Sequence, residues 1–271
     1  MYKRDLACFV ELVYRRFIIM KICGLIGKDI HHSISPKIHN EYYKQNHINF
    51  KYKLFNMNKN ELIEFLKVMN EKEYGGFNVT IPYKEYIINY LDELTYPASL
   101  IRAVNTISIR NGILIGHNTD YFGFIYSLEH WKIKVEGKDV LILGSGGAAK
   151  AVYYALKDLK VKDIDIAGRN VDRISKTFPV VRSIININDI KSLYKYDIII
   201  NCTPLGNINN EVMPITLKDF KDDLIIYDLN YIPEKTKLLL DAEDKGLKAI
   251  NGSIMLEQQA YESINIWNLN T

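Results

Sequence analysis

The chain of 271 residues is poor in the features that mark the simpler architectures. Only three residues are cysteine, Cys8, Cys23 and Cys202, far apart, odd in number and without a C-x-x-C. This excludes a disulfide framework, leaves nothing for a zinc cage, and fits a reducing cytoplasm. Seven prolines and 15 glycines are too few for a collagen-like or low-complexity chain. No apolar run reaches the roughly 18 residues of a membrane-spanning helix. The net charge is only +3, which argues against a dedicated nucleic-acid or membrane-surface protein. Six histidines include the adjacent pair His31-His32 but no H-E-x-x-H, so no metal is expected. What remains is ordinary globular composition, 48% hydrophobic and 25% charged, enough for one large domain or two modest ones.

Residues 1–19 begin basic, as a signal peptide does. Glu11, Arg15 and Arg16 then interrupt the apolar segment, and no small-residue cleavage site follows. Met20 leads straight into a strand-like run, KICGLIG. Residues 1–19 therefore read as an extension ahead of the working domain, or as a misplaced start. The N-x-S/T triplets at Asn78, Asn201 and Asn251 have no export signal to make them glycan acceptors.

From Met20 short apolar runs alternate with amphipathic stretches, the rhythm of an α/β protein. The first half predicts strands at Lys21–Ile26, Phe50–Phe55 and Gly76–Val79 and helices at Pro36–Gln45 and Lys59–Asn70. Pro36 suits a first helical turn, and Ser35 is placed to cap it. Ala103–Ile109 and Ile113–Gly116 read as a hairpin turning at Asn111-Gly112. A helix from about Asp120 to Trp131 leads to a boundary at Gly137. Beyond it come strands at Val140–Leu143, Asp163–Ala167, Asp197–Asn201, Leu224–Asp228 and Lys248–Ile250. Helices are predicted from GSGGAAK to about Lys160 and at Asn170–Thr177, Pro233–Lys245 and Ile254–Trp267. Continuous apolar strands bounded by turn residues predict a doubly wound parallel sheet covered on both faces.

The sharpest motif is Gly144-Ser145-Gly146-Gly147-Ala148-Ala149, a G-x-G-x-x-A directly after a strand and at a helix start. Gly144 permits the tight turn, Gly146 lets a pyrophosphate reach the backbone, and the helix N-terminus offers N–H groups to the anion. The next strand ends in Gly168-Arg169-Asn170, with Arg173 one turn on. Arginine at that tip suits the 2′-phosphate of NADP, whereas an acidic residue would suit the ribose of NAD. Asp165 lies near the right distance along the chain but inside the strand. In the first half, Ser33, Ser35, Asn78, Thr80, Lys84, Asn105, Thr106, Asn118 and Asp120 cluster where strands end. Together they fit a site for a small polyhydroxylated acid.

The ordered set SISP (33–36), GFNVTIPYK (76–84), AVNT (103–106), GHNTD (116–120), GSGGAAK (144–150), INCTPLG (200–206), DLNY (228–231) and NGSIMLEQQA (251–260) resembles the shikimate dehydrogenase family from Met20 to the C-terminus. NVT-x-P-x-K followed 36 residues beyond its lysine by the aspartate of NTD is the most specific part. The resemblance implies an α/β substrate domain and a Rossmann-type NADP-binding domain with the active site in the cleft between them. It implies NADPH-dependent reduction of 3-dehydroshikimate to shikimate, on the way to chorismate and the aromatic amino acids. The domain scheme that follows is 20–120 for substrate and catalysis with a connecting helix at about 121–136, then 137–252 for NADP. Residues 253–271 form a closing helix that packs back toward the first domain.

Carried across by motif, the resemblance makes Lys84 and Asp120 the catalytic pair. It assigns the substrate carboxylate to Ser33 and Ser35, and the ring and its surroundings to Asn78, Thr80, Asn105, Tyr231 and Gln259. It assigns the cofactor phosphates to Gly144, Ser145, Gly146, Gly147 and Ala148 and the 2′-phosphate to Arg169, Asn170 and Arg173. Leu229 and Gly252 fall at the nicotinamide end. Three positions depart from the family pattern: Gly168 where Asn is common, Ile254 where a second Gly is common, and Tyr96 where an acidic residue is often found. The rival readings are an NAD-using quinate/shikimate dehydrogenase and a non-catalytic NADP sensor on the same fold. A small-molecule enzyme without nucleic-acid or membrane partners, monomeric or homodimeric, is expected.

Overall fold

A computed structural model of the protein describes residues 20–69 and 72–268. The extension expected at 1–19, Cys8 with it, lies outside the described residues. Two compact units emerge, each with its own six-stranded sheet.

The first unit takes the chain through Leu94, Asn105–His117 and the residues from Ser263 onward. Its elements are β1 (Lys21–Gly27), α1 (Ser35–Gln45), β2 (Phe50–Asn56), α2 (Lys59–Val68), β3 (Tyr74–Val79), β4 (Glu93–Leu94), β5 (Thr106–Arg110) and β6 (Ile113–His117). The sheet order is β2-β1-β3-β5-β6-β4. β1 pairs in parallel with both β2 and β3, and the hairpin β5–β6 joins antiparallel to β3. Asn111-Gly112 makes the hairpin turn with both residues at positive φ, as that dipeptide predicts. α2 starts at a full capping box: Asn58 accepts from the amides of Asn60 and Glu61, and Glu61 reaches back to the Asn58 amide. α1 departs from expectation. Its cap position is Ile34, with no side-chain cap, and Ser35 is already helical. The Ser35 hydroxyl instead accepts from Ser33, and the Pro36 ring removes one of the amides a cap would serve.

The second unit takes Thr95–Val104 and Asn118–Glu262. It holds α3 (Ala98–Ile101), α4 (Thr119–His130), β7 (Asp139–Leu143), α5 (Gly147–Asp158), β8 (Asp163–Gly168), α6 (Val171–Thr177), β9 (Ser183–Asn186), β10 (Ile198–Asn201), β11 (Ile225–Asp228), α7 (Lys237–Asp244), β12 (Lys248–Asn251) and most of α8 (Ser253–Asn268). All pairings are parallel, in the order β12-β11-β10-β7-β8-β9. β7 is buried at every residue because helices cover both faces, which is why DVLIL is apolar after its first residue. One core contains Phe124, Leu128, Val152, Leu156 and Ile166; the other contains Leu141, Leu143, Ile199, Leu238 and Leu239.

α4 groups by its contacts with the second unit, where Tyr121, Phe124 and Leu128 are buried in the core. α7 begins at Lys237, capped by Thr236, four residues later than expected from Pro233. β9 has no strong signal in the sequence. Its four residues are all half-buried at a sheet edge. At its far end α8 places Trp267, fully buried, with its indole N–H donating to Ile107 O at 3.0 Å.

Candidate active site

In the first unit the polar residues picked from sequence stand at the carboxyl edge of β1 and β3. Ser33 and Ser35 lie just beyond β1, their hydroxyls 3.1 Å apart, and Ser33 Oγ also accepts from the Ser35 amide. Asn78 is 5% exposed inside β3, and its side chain is heavily committed. Its Oδ1 accepts from Tyr52 Oη at 2.7 Å, while Nδ2 faces Ser263 Oγ at 2.8 Å, Thr106 Oγ1 at 3.0 Å and Asn105 O at 3.3 Å. One acceptor position of Oδ1 stays outside these bonds. Thr106 Oγ1 donates to Asn105 Oδ1 at 3.2 Å, which fixes the orientation of that amide too.

Beyond β3 the turn bearing Thr80 and Lys84 is tied down. The Thr80 amide bonds Ile26 O, the Tyr83 amide bonds Thr80 O, and buried Tyr83 donates its hydroxyl to Met57 O at 2.7 Å. Thr80 and Lys84 are half-buried. On α1, His39 is fully buried and stacked on Tyr52 with ring centroids 3.9 Å apart. Its Nδ1 meets Tyr43 Oη at 3.3 Å and its Nε2 has no partner. Burial drives its pKa down to about 3.

In the second unit Asp120 occupies the first turn of α4, 6% exposed. Asn118 caps that helix, accepting from the Tyr121 amide at 3.2 Å and donating to Ala103 O at 2.8 Å. Thr119 Oγ1 donates to Gln259 Oε1 at 3.4 Å, so Asp120 and Gln259 come from adjoining helices. Tyr231 follows β11, half-buried, and burial raises its phenol pKa.

The residues that the motifs carry over to the cofactor all lie at the carboxyl edge of the parallel sheet. Gly144 follows β7 with φ +104°, the left-handed region where only glycine is at ease. Gly146 precedes α5 and offers no side-chain cap, no acidic residue sits in the first turn, and a Cβ built on Gly146 meets nothing within 4 Å. That is an open cradle of backbone N–H groups at the start of a 12-residue helix, and it fits a phosphate. Arg169 and Arg173 are exposed at the end of β8 and on α6. Asn170 caps α6 through Oδ1, which accepts from the Arg173 amide at 2.8 Å. Its two Nδ2 hydrogens are the part suited to an anion. Gly252 passes so close to Leu229 that a Cβ there would sit 2.1 Å from Leu229 O.

The structure also explains three sequence positions. Asp165 is fully buried, gripped by Arg182 through Nε at 2.9 Å and Nη2 at 3.1 Å, by Tyr196 Oη at 2.7 Å and by Lys195. Burial alone would raise its pKa, but these partners hold it below the usual carboxylate range. Fully buried and ion-paired, it is out of reach of a ribose. Tyr96 donates to Asp158 Oδ2 at 2.9 Å, at the end of α5 away from the phosphate loop. Gly168 faces Ile174, whose Cδ1 would lie 2.9 Å from an added Cβ.

Sequence reasoning picked Thr106 but missed the other supporting polar residues: Tyr52 and Ser263 around Asn78, and Asn201, Asp228, Asn230 and Thr236 at the crest of the parallel sheet. Asp228 is fully buried; burial raises its pKa, and hydrogen bonds from Asn230, Thr236 and Asn201 oppose that. A polar residue closing an otherwise apolar strand, as in IIIN and IIYD, was the available signal.

A parallel sheet of this order, with an open glycine loop after β7 and arginine after β8, defines a Rossmann-type dinucleotide-binding unit. The pattern of the shikimate dehydrogenase substrate binding domain matches residues 25–107, and that of the shikimate/quinate 5-dehydrogenases matches residues 128–231. A shikimate dehydrogenase (NADP(+)) of Clostridium botulinum is 49% identical over 252 residues, covering 93% of this chain and 98% of its own. The crystal structure of shikimate dehydrogenase 1 from Peptoclostridium difficile is similar at a TM-score of 0.83 and 33% identity, covering 93% of each chain. The Thermus thermophilus shikimate 5-dehydrogenase, solved in complex with NADP(H) and shikimate, is similar at a TM-score of 0.82 and 28% identity, covering 92% of this chain and 93% of its own. The chain belongs to the shikimate dehydrogenase family.

Proposed function

We propose that this protein catalyses the reversible NADPH-dependent reduction of 3-dehydroshikimate to shikimate. The observation that carries this reading is positional. The serine pair after β1, the turn after β3, the glycine loop after β7 and the arginine after β8 all fall just beyond strand ends, where α/β proteins bind ligands. NADPH, when bound, supplies the hydride. The glycine loop from Gly144 to Ala148 and the open start of α5 hold its pyrophosphate. Arg169, Asn170 and Arg173 hold the 2′-phosphate, and Leu229 and Gly252 meet the nicotinamide end. Ser33 and Ser35 take the substrate carboxylate, and the family motifs assign the ring to Asn78, Thr80 and Asn105 of the first unit and to Tyr231 and Gln259 of the second. Lys84 gives a proton to the carbonyl oxygen as it becomes a hydroxyl, its ammonium stabilising the charge that develops there. Asp120 is the second member of the catalytic pair that the family motif carries over to this chain.

No helix among the described residues is long and apolar enough to cross a membrane. The reading places the enzyme in the cytoplasm, as a monomer or homodimer. Absorbance at 340 nm, followed with shikimate or quinate and each of NADP and NAD, tests it. Turnover with shikimate and NADP far above the other pairs is the expected result. A preference for NAD, or for quinate, would instead establish the quinate/shikimate reading, and no turnover at all the sensor reading.

A further inference from the structure

Charge is distributed unevenly over the second unit's sheet. At the amino edge the carboxylates of Asp139, Asp163, Asp165 and Asp197 are matched by lysine or arginine. At the carboxyl edge Asp228, the last residue of β11, is fully buried and forms no ion pair among the described residues. Its Oδ1 accepts from Asn201 Nδ2 at 2.9 Å, from the Asn230 amide at 3.0 Å and from Asn230 Nδ2 at 2.8 Å. Its Oδ2 accepts from Thr236 Oγ1 at 2.7 Å, and that hydroxyl's own acceptor side faces the Leu239 amide at 3.4 Å. All four partners are donors. Three of the four are N–H groups and only the Thr236 hydroxyl could also accept, so the arrangement favours the carboxylate over the acid. Four neutral donors satisfy its hydrogen bonding but leave its charge uncancelled.

The place of this anion follows from strand order. β7 and β10 are neighbours from which the chain winds outward in opposite directions, so the crest between them is the topological switch point. The phosphate loop opens from β7, and Arg169 sits at the end of β8 on one side. A dinucleotide that turns its 2′-phosphate toward β8 lays its other half over β10, β11 and β12. That is where Asp228, Leu229 and Gly252 stand. The two redox forms of a nicotinamide differ by one positive charge on the ring, carried only by the oxidised form.

We propose that Asp228 is an uncompensated buried anion that ranks the two redox forms of the cofactor, strengthening binding of the oxidised form relative to the reduced. This rests on the cofactor assignment made above. A unit charge acting over about two strand spacings is worth on the order of 3- to 15-fold in affinity. Equilibrium binding of NADP+ and of NADPH to the full chain reads it without turnover: NADPH by its fluorescence, NADP+ by competition or calorimetry. Asp228→Asn is expected to weaken NADP+ relative to NADPH by about 3- to 15-fold. Thr236→Val, which removes one donor and keeps the charge, is expected to leave that ratio within about twofold. Asp228→Ser serves if Asp228→Asn does not fold. An unchanged ratio in the folded charge-removing variant overturns the proposal. So does an equal change in Thr236→Val, which would trace the effect to loop geometry. Failure of the wild type to bind either form would be visible before any variant is made, and would overturn the cofactor assignment itself.

Discussion

His39 makes acid stability a quantitative test of the first unit's packing. The ring is fully buried between Tyr43, Tyr52 and Trp267, and one of its nitrogens has no partner. Burial lowers its pKa from 6.5 to about 3. The unfolded chain therefore binds a proton below about pH 6.5 that the folded chain refuses. The contribution is intact above that pH and is lost as pH falls toward 3. At pH 5 the loss is about 2 kcal/mol relative to pH 8. His117, held at 2.8 Å by Ser108 Oγ, has its pKa lowered to about 4 by burial and by Arg110, and adds a similar amount. Together that is a large share of the roughly 5–15 kcal/mol that holds an ordinary domain. Urea denaturation at pH 8, 6 and 5 reads the effect. His39→Phe keeps the stacked ring but cannot titrate, so its fall in stability from pH 8 to pH 5 should be about half that of the wild type. A wild type equally stable at pH 8 and pH 5, or the same slope in both proteins, would refute the reasoning.

Lys84→Ala should fold and bind shikimate yet lose a factor on the order of 10²–10⁴ in kcat, the usual worth of a positioned acid–base group; near-normal kcat would remove Lys84 from the chemistry. Arg169→Ala should lower the NADP-to-NAD ratio of kcat/KM by roughly 10- to 150-fold, since a hydrogen bond to a charged group carries that much and NAD lacks the phosphate. Gly252→Ala should cost about 1–3 kcal/mol of stability and weaken NADPH, because backbone rather than a flexible side chain stands 2.1 Å from the new Cβ. Thermal melting and NADPH titration check both effects.

The parts of this protein legible in its sequence are those governed by neighbours along the chain. The loop after β7 declares itself through Gly144 and Gly146, and the hairpin through Asn111-Gly112. Parallel strands show as unbroken apolar runs because each strand's own burial dictates its composition. Arg169 is readable for the same reason, one residue past a strand end. Where the local signal is shared between two uses, sequence alone chose wrongly. Ser35 is a good cap residue, but Pro36 and Ser33 take it out of that role. Pro233 is a good first-turn residue, yet Thr236 starts the helix.

Only the tertiary structure decided what the polar residues do. Asp165 lies near the spacing of a ribose ligand, and nothing nearby in sequence shows that Arg182 and Lys195, 17 and 30 residues away, consume it. Asn78 gains its frame from Tyr52, Thr106 and Ser263, up to 185 residues distant. Asp228 looks like a strand-end turn residue until its complete burial among four donors sets it apart. Periodicity and turn chemistry act over a few residues, so sequence carries them. Hydrogen-bond satisfaction and charge compensation depend on groups that meet only when the sheets form, and those settle which polar side chains are frame and which are left to act.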